Sequence, residues 1–284
     1  MVPFKVNLEN KVAVVTGGGG ILCSAMAQAL AECGASVALI GRTLKTLETA
    51  AERISKAGGK ALPVSADVTD PEALRQACKT IEETWASADI LINGAGGNDP
   101  RGNTAAEYLL PEQLENTAEN LNSFFSLDPD GLRFVLDLNL IGTLLPTQIF
   151  SRGMAEKKNG VIINISSMAS ILPLTKVPAY SAAKAAVNNL TQWLAVHFSR
   201  TGIRVNAIAP GFFLTNQNRS LMTNPDGTWT DRALKILDHI PFQRLGAPEE
   251  LLGTLLWLAD SSASGYVNGT VIPVDGGFSA FSGI

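Results

Sequence analysis

Seven short runs of apolar, largely β-branched residues recur along the chain, at 11–16 (KVAVVT), 36–41 (SVALIG), 60–65 (KALPVS), 89–93 (DILIN), 160–166 (GVIINIS), 203–209 (IRVNAIA) and 270–275 (TVIPVD). They are evenly apolar rather than alternating with polar residues. Strands of that kind are covered on both faces, as in a parallel sheet. Between them, apolar residues return at helical spacing over Ala25 to Cys33, Leu44 to Ala57, Pro71 to Trp85, Phe134 to Ala155, Ser181 to Arg200 and Pro248 to Ala259. Several of these segments open on Thr, Asp or Pro. The alternation predicts an α/β fold: a Rossmann-type, doubly wound, mostly parallel seven-stranded sheet with helices on both faces.

Two stretches break the pattern. Residues 97–130 are polar and rich in Asn and Glu, and residues 211–247 form a second excursion before the last long helix. Each follows the carboxyl end of a predicted strand, where open α/β sheets place ligands, and loops of this length commonly carry function. A surface decoration or a subunit contact is the alternative for both. With no internal repeat or linker, the chain is expected to form one domain over 1–284, with a polar insertion near 97–130 and a substrate lid near 211–247.

Composition narrows the partners. The 284 residues are 46% hydrophobic and 17% charged, with 26 Gly and 14 Pro, which excludes disordered and collagen-like chains. A net charge of −4 without a basic run excludes electrostatic binding of nucleic acid. No uninterrupted apolar run reaches membrane-spanning length, and the amino terminus has no secretory h-region, so a cytoplasmic protein without a membrane partner is expected. Cys23, Cys33 and Cys78 show no C-x-x-C spacing and read as reduced thiols, while His197 and His239 are too few and too far apart to imply a metal site.

Chemistry enters at the first strand, which runs into Gly17-Gly18-Gly19-Gly20 and then a helix starting at Ile21. Glycines let backbone amides approach a pyrophosphate, and the helix amino terminus favours its charge. The second strand ends on Gly41-Arg42, without the acidic residue that binds an unmodified ribose 2′-hydroxyl. Arg42 is suited to a 2′-phosphate, so NADP is preferred over NAD. Farther on, Tyr180 and Lys184 lie four apart on one helix face. A nearby cation is expected to lower the phenol pKa and fit it for proton transfer. Ser167, at the end of the strand before this helix, is placed to hydrogen-bond a substrate oxygen.

At these residues the chain resembles the short-chain dehydrogenase/reductase family from Lys11 to Gly277. TGGGG at 16–20 is similar to the family's glycine turn, ADV at 66–68 to its adenine-contacting Asp-Val pair, and NGAG at 93–96 to its NNAG. PGFFLT at 210–215 resembles the segment beside the nicotinamide, and PVDGG at 273–277 the terminal signature. The resemblance implies a catalytic tetrad of Asn139, Ser167, Tyr180 and Lys184, with Asn139 positioning a water beside Lys184. It also implies a dinucleotide held by Gly17, Gly19, Gly20, Ile21, Arg42, Asp67, Val68, Asn93, Ala95, Gly96, Tyr180, Lys184, Pro210, Gly211, Phe213 and Thr215, and a homotetramer. The departure is at Ile21 and Cys23, which stand where the family carries its second and third glycines.

Within the family the likeness tightens toward members that interconvert D-fructuronate and D-mannonate, and so implies a sugar-acid substrate. Asn98, Lys176 and Arg219 are the candidate contacts, with Lys176 or Arg219 meeting the carboxylate and Asn216, Gln217 and Asn218 available for hydroxyls. A reductase of another polyol or keto-acid, such as 5-ketogluconate, and a nucleotide-binding protein that has lost turnover are the alternatives.

Overall fold

The computed structural model describes residues 5–114, 122–215 and 219–283. Seven strands form one parallel sheet: β1 (Val12–Thr16), β2 (Ser36–Gly41), β3 (Lys60–Ser65), β4 (Ile90–Asn93), β5 (Gly160–Ile165), β6 (Ile203–Pro210) and β7 (Val271–Val274). Their spatial order is β3-β2-β1-β4-β5-β6-β7, so the chain builds outward from β1 and then returns to place β4 on its other side. That reversal leaves a crevice at the carboxyl ends of β1 and β4, the topological switch point of a doubly wound sheet. Thr16 lies opposite Asn93 in the register, so the two loops that leave these strands start level with each other.

The apolar runs are explained by packing on both faces. Ala13, Val15, Val37, Leu39, Ile92 and Ile163 point into one core layer. Their neighbours Val12, Val14, Ala38, Ile40, Leu91 and Ile162 point into the other. The first layer is closed by α1 (Ile21–Glu32), α2 (Leu44–Lys56) and α9 (Leu252–Ala259), the second by α3 (Pro71–Thr84), α5 (Gly142–Lys157) and α6 (Pro178–His197). The two edge strands carry Pro63 and Pro273 within their length, whereas the proline of β6, Pro210, is its last residue. An edge tolerates the missing amide that a central strand does not.

Several boundaries differ from the periodicity. α1 begins at Ile21 because Gly20 caps it, and α6 begins at Pro178, whose fixed φ suits the first helical position. The segment predicted as one helix from Phe134 is three: α4 (Pro129–Leu136), a π-helical turn (Asp137–Ile141) and α5. Together they run from Pro129 to Lys157 and are, by length and composition, long and apolar enough to cross a bilayer, though charged residues interrupt them and 44% of the apolar window is buried within the fold.

The first excursion contains short 3₁₀ turns and is less polar than its composition implies, since Tyr108, Leu109, Leu110, Phe124 and Phe125 are exposed on it. The second contains α7 (Arg219–Met222) and α8 (Asp231–Asp238), which periodicity missed. A last short helix, α10 (Ser261–Ser264), precedes β7.

Candidate active site

The glycine turn leaves β1 through Gly17, whose φ of +69° only glycine adopts without strain, and a Cβ there would lie 2.8 Å from the Gly94 carbonyl oxygen. Gly20 offers no side-chain cap, so the first-turn amides of α1, starting at Ile21, have no partner in the helix itself. Gly19 lies against the Thr46 hydroxyl. Thr16 Oγ1 accepts the amides of Gly94 at 3.0 Å and Ala95 at 3.2 Å, which fixes the loop after β4 against this turn. The open amides, positive helix end and absence of side chains fit a pyrophosphate.

The departure at Cys23 has a local explanation. Cys23 is buried, its thiol donates to the Gly94 carbonyl at 3.5 Å, and a Cβ on residue 94 would collide with its sulfur. Sulfur on one side of this contact is therefore accommodated by glycine on the other, and Cys23 packs under the β4 loop. Burial pushes its pKa up to about 11, so it stays a thiol.

Along the adenosine side of the crevice, Arg42 is exposed after β2. Although burial acts upward on Asp67, hydrogen bonds from the Thr69 amide and hydroxyl and the field of Arg42 hold its carboxyl below the usual range. Val68 is buried against Gly142. The Asn93 side chain turns inward and donates to Thr147 and Asn164, each at 2.8 Å, in a buried polar network that continues through Thr191. It ties β4 and β5 to the helices beneath. Phe213 is likewise a core residue, 5% exposed and wedged on Gly246. Pro210 ends β6, the Gly211 amide donates to Val274, and Thr215 ends the described part of this segment.

The four tetrad residues converge. Asn139 is fully buried in the π turn, where Nδ2 donates to the carbonyls of Gly97 at 2.7 Å and Val135 at 2.8 Å, while Oδ1 accepts the Gly97 amide at 3.3 Å. Lys184 Nζ donates to the Ile165 carbonyl at 2.8 Å and lies 5.8 Å from the Tyr180 ring centroid. A Cβ on Gly96 would sit 2.8 Å from Asn139 Oδ1 and 3.3 Å from Lys184 Nζ, so glycine is the residue that leaves this corner open. Ser167 Oγ accepts the Ala169 amide at 3.1 Å, and the turn it caps is braced by Ser170, Ser166 and Asn188.

Burial lowers the Lys184 pKa to about 8. It raises that of Tyr180, against the opposing effect of a hydrogen bond with Ser167. The spacing alone predicts that the lysine lowers the phenol pKa; here desolvation dominates and Ser167 supplies the opposing effect.

Beyond Ser167, the chain from Leu172 to Lys176 leads to the start of α6 and walls a cavity of about 560 Å³. Phe212 and Phe278 line it on one side, and Glu107, Arg232, Lys235 and His239 bring charged and polar groups from both excursions. Lys235 Nζ pairs with Glu107 Oε2 at 2.5 Å. Of the predicted substrate contacts only Lys176 reaches this cavity. Arg219 is exposed at the head of α7 and does not line it, and Asn98 donates to Asn103 at 3.0 Å. Asn216, Gln217 and Asn218 lie outside the described residues. Sequence reading missed Glu107, Arg232 and Lys235; the Thr230 cap ahead of apolar positions 233, 236 and 237 was the available signal for α8.

Comparison with known proteins agrees with this geometry. The model of short chain dehydrogenases matches residues 11–226. The chain belongs to that family. It is a short-chain dehydrogenase, an oxidoreductase acting on alcohol groups. It is 50% identical over 284 residues, all of both chains, to the uncharacterized oxidoreductase UxuB of Bacillus subtilis (strain 168). A crystal structure from Haemophilus influenza, provisionally named a D-mannonate oxidoreductase and holding NAD, superposes with a TM-score of 0.93 at 48% identity over 100% of both chains. A gluconate 5-dehydrogenase from Burkholderia cenocepacia J2315, in complex with NADP and tartrate, is 29% identical with a TM-score of 0.82, covering 98% of this chain and 99% of its own.

Proposed function

We propose that this dehydrogenase interconverts a keto-sugar acid and its alcohol with NAD(P), D-fructuronate and D-mannonate being the first pair to test. The observation that carries the chemistry is the convergence of Tyr180, Lys184 and Asn139 at the open corner beside Gly96, next to an uncapped glycine turn. The sugar-acid substrate is supported by the provisional name of the Haemophilus influenza relative and by the cations around the adjoining cavity.

When bound, the nicotinamide dinucleotide supplies or accepts hydride at the carbonyl carbon. Gly17, Gly19, Gly20 and Ile21 hold its pyrophosphate, Asp67 and Val68 flank the adenine, Ala95 and Gly96 line the crevice floor, and Pro210, Gly211 and Thr215 border the nicotinamide side. Arg42 favours a 2′-phosphate. Tyr180, kept protonated by burial, gives its proton to the substrate oxygen in reduction and takes it back in oxidation. Ser167 holds that oxygen, and Lys184 supplies positive charge below the phenol. Asn139 spends its amide on Gly97 and Val135, so it positions the loop that carries the open corner. A homotetramer in the cytoplasm is the proposed assembly and location; exposed Phe134, Ile141, Leu144, Trp193 and Val196 on α4 to α6 support contacts between copies.

Nicotinamide absorbance followed with D-fructuronate, D-tagaturonate and 5-ketogluconate tests the assignment. Fructuronate should give the highest kcat/KM. The gluconate 5-dehydrogenase relative makes 5-ketogluconate the second reading, favoured if that substrate leads. Tyr180→Phe should lower turnover by about 10²–10⁴-fold with cofactor affinity retained; near-normal turnover would remove Tyr180 from proton transfer.

A further inference from the structure

The cavity walled by Leu172 to Lys176 is charged in a particular way. Its wall from Leu172 to Lys176 joins the turn that Ser167 caps to the helix that carries Tyr180, and the Leu174 amide donates to Ser181 Oγ at 3.2 Å, so the wall is anchored one residue from the phenol. Lys176 ends this wall at a φ of +71°, a costly conformation for a residue with a Cβ, and its carbonyl accepts the Thr104 amide at 3.0 Å. The first excursion therefore holds Lys176 in place.

Three cations, Lys176, Arg232 and Lys235, line the cavity together with Glu107. The hydrogen bond from Lys235 draws the Glu107 carboxyl below its ordinary range, and the fields of Lys235, Lys176 and Arg232 act in the same direction. Lys235 is committed to Glu107. Among the described residues, neither Lys176 nor Arg232 has an ion-pair partner. The lining groups comprise Lys176, Arg232 and Lys235 against Glu107 and Asp231, three positive charges against two negative, so one positive charge is left over. Phe212, Phe278, Leu172 and Ile236 supply an apolar surround that strengthens charge recognition. In a chain whose net charge is −4, this is a local arrangement and no reflection of the overall balance.

We propose that Lys176 and Arg232 together receive the substrate carboxylate, while the Glu107–Lys235 pair clasps the first excursion to α8 across the cavity and leaves the receptor its single surplus charge. The proposal rests on the sugar-acid reading above and adds the residues that read the acid. It replaces Arg219 with a residue on α8.

The test is calorimetric titration of the NADH-bound enzyme with D-mannonate and with mannitol, which differ in the carboxylate; with reduced cofactor neither ligand turns over. Wild type should bind mannonate at least tenfold more tightly than mannitol. Lys176→Met and Arg232→Met should each weaken mannonate at least tenfold, about 1.4 kcal/mol, and leave mannitol unchanged. If Lys176→Met folds poorly, Lys176→Gly suits the positive φ and removes the same charge, and Arg232 lies on an exposed helix face. Unchanged mannonate affinity in the variants would overturn the receptor and leave the sugar-acid function standing. A wild type that shows no preference for acid over polyol would overturn that function and the receptor with it.

Discussion

Lys184 should make the fold less stable at neutral pH than it is in mild alkali, and the size of the effect follows from its burial. The ammonium is 4% exposed, with one carbonyl as its hydrogen-bond partner, and its pKa falls from 10.5 to about 8. At about 1.36 kcal/mol per pH unit, that displacement corresponds to about 3 kcal/mol. Below pH 8 both folded and unfolded chains hold the proton, and the folded chain carries the full cost of a buried charge. Between pH 8 and 10.5 the folded chain releases the proton first. The unfolded state then binds more protons, so stability rises with pH.

Lys184→Met removes this titration. Denaturant unfolding of both proteins at equal concentration from pH 7 to 10.5 should show wild type gaining about 3 kcal/mol relative to the variant, most of it above pH 8. The comparison isolates the lysine. Cys23 and Tyr180 have raised pKa values and act in the opposite direction, losing stability as pH rises past their unfolded values; Tyr180 remains in both proteins and cancels, and because Cys23 and Lys184 act on each other, both proteins carry Cys23→Ala. Parallel pH profiles would refute the buried, strained ammonium. The variant should also lose turnover, since a site that stores an unfavourable charge exchanges stability for activity.

Two further outcomes follow from the crevice. Gly94→Ala should cost about 1–3 kcal/mol by overpacking against Cys23, and in thermal or denaturant unfolding Gly94→Ala combined with Cys23→Ala should be more stable than Gly94→Ala alone; simple additivity would show the two positions to be uncoupled. Arg42→Ala should raise KM for NADPH by about tenfold and leave NADH within twofold, the loss of one charge-assisted contact in steady-state kinetics; equal effects on both cofactors would make Arg42 a general surface residue.

What was legible in the sequence was whatever recurs locally. Strands such as Val37 to Ile40 are apolar at every position because both faces are covered, and their boundaries were readable to within a residue or so. Tyr180, Lys184 and Ser167 were legible as candidates because the first two share one helix face and the third follows a strand, whereas Asn139 was a candidate through the family resemblance alone. The side-chain directions of Asn93 and Phe213 were not legible: each sits in a motif at the crevice, but its side chain is buried, and motif membership does not report direction. The pKa of Tyr180 was misjudged for a related reason. Spacing reveals a neighbouring charge, whereas desolvation depends on everything packed around the ring.

The cavity was the least legible feature because its parts come from separate excursions. Glu107 and Lys235 are 128 positions apart and meet only because the loop after β4 and the helix after β6 rise from the same end of the sheet. This explains a division of labour within the fold. Residues proposed to move protons and hold the cofactor sit at strand ends and in helical segments, where packing fixes them: Asn139 and Lys184 are buried, and Ser167 caps a turn. Residues proposed to read the substrate sit on connections that are tied to their surroundings by contacts such as the Thr104 amide to the Lys176 carbonyl and the Glu107–Lys235 ion pair. Under the proposed function, exchanges within residues 98–128 or 219–247 should alter which anion is read while leaving Asn139 on Gly97 and the other tetrad residues in place, because neither stretch contributes a strand to the sheet.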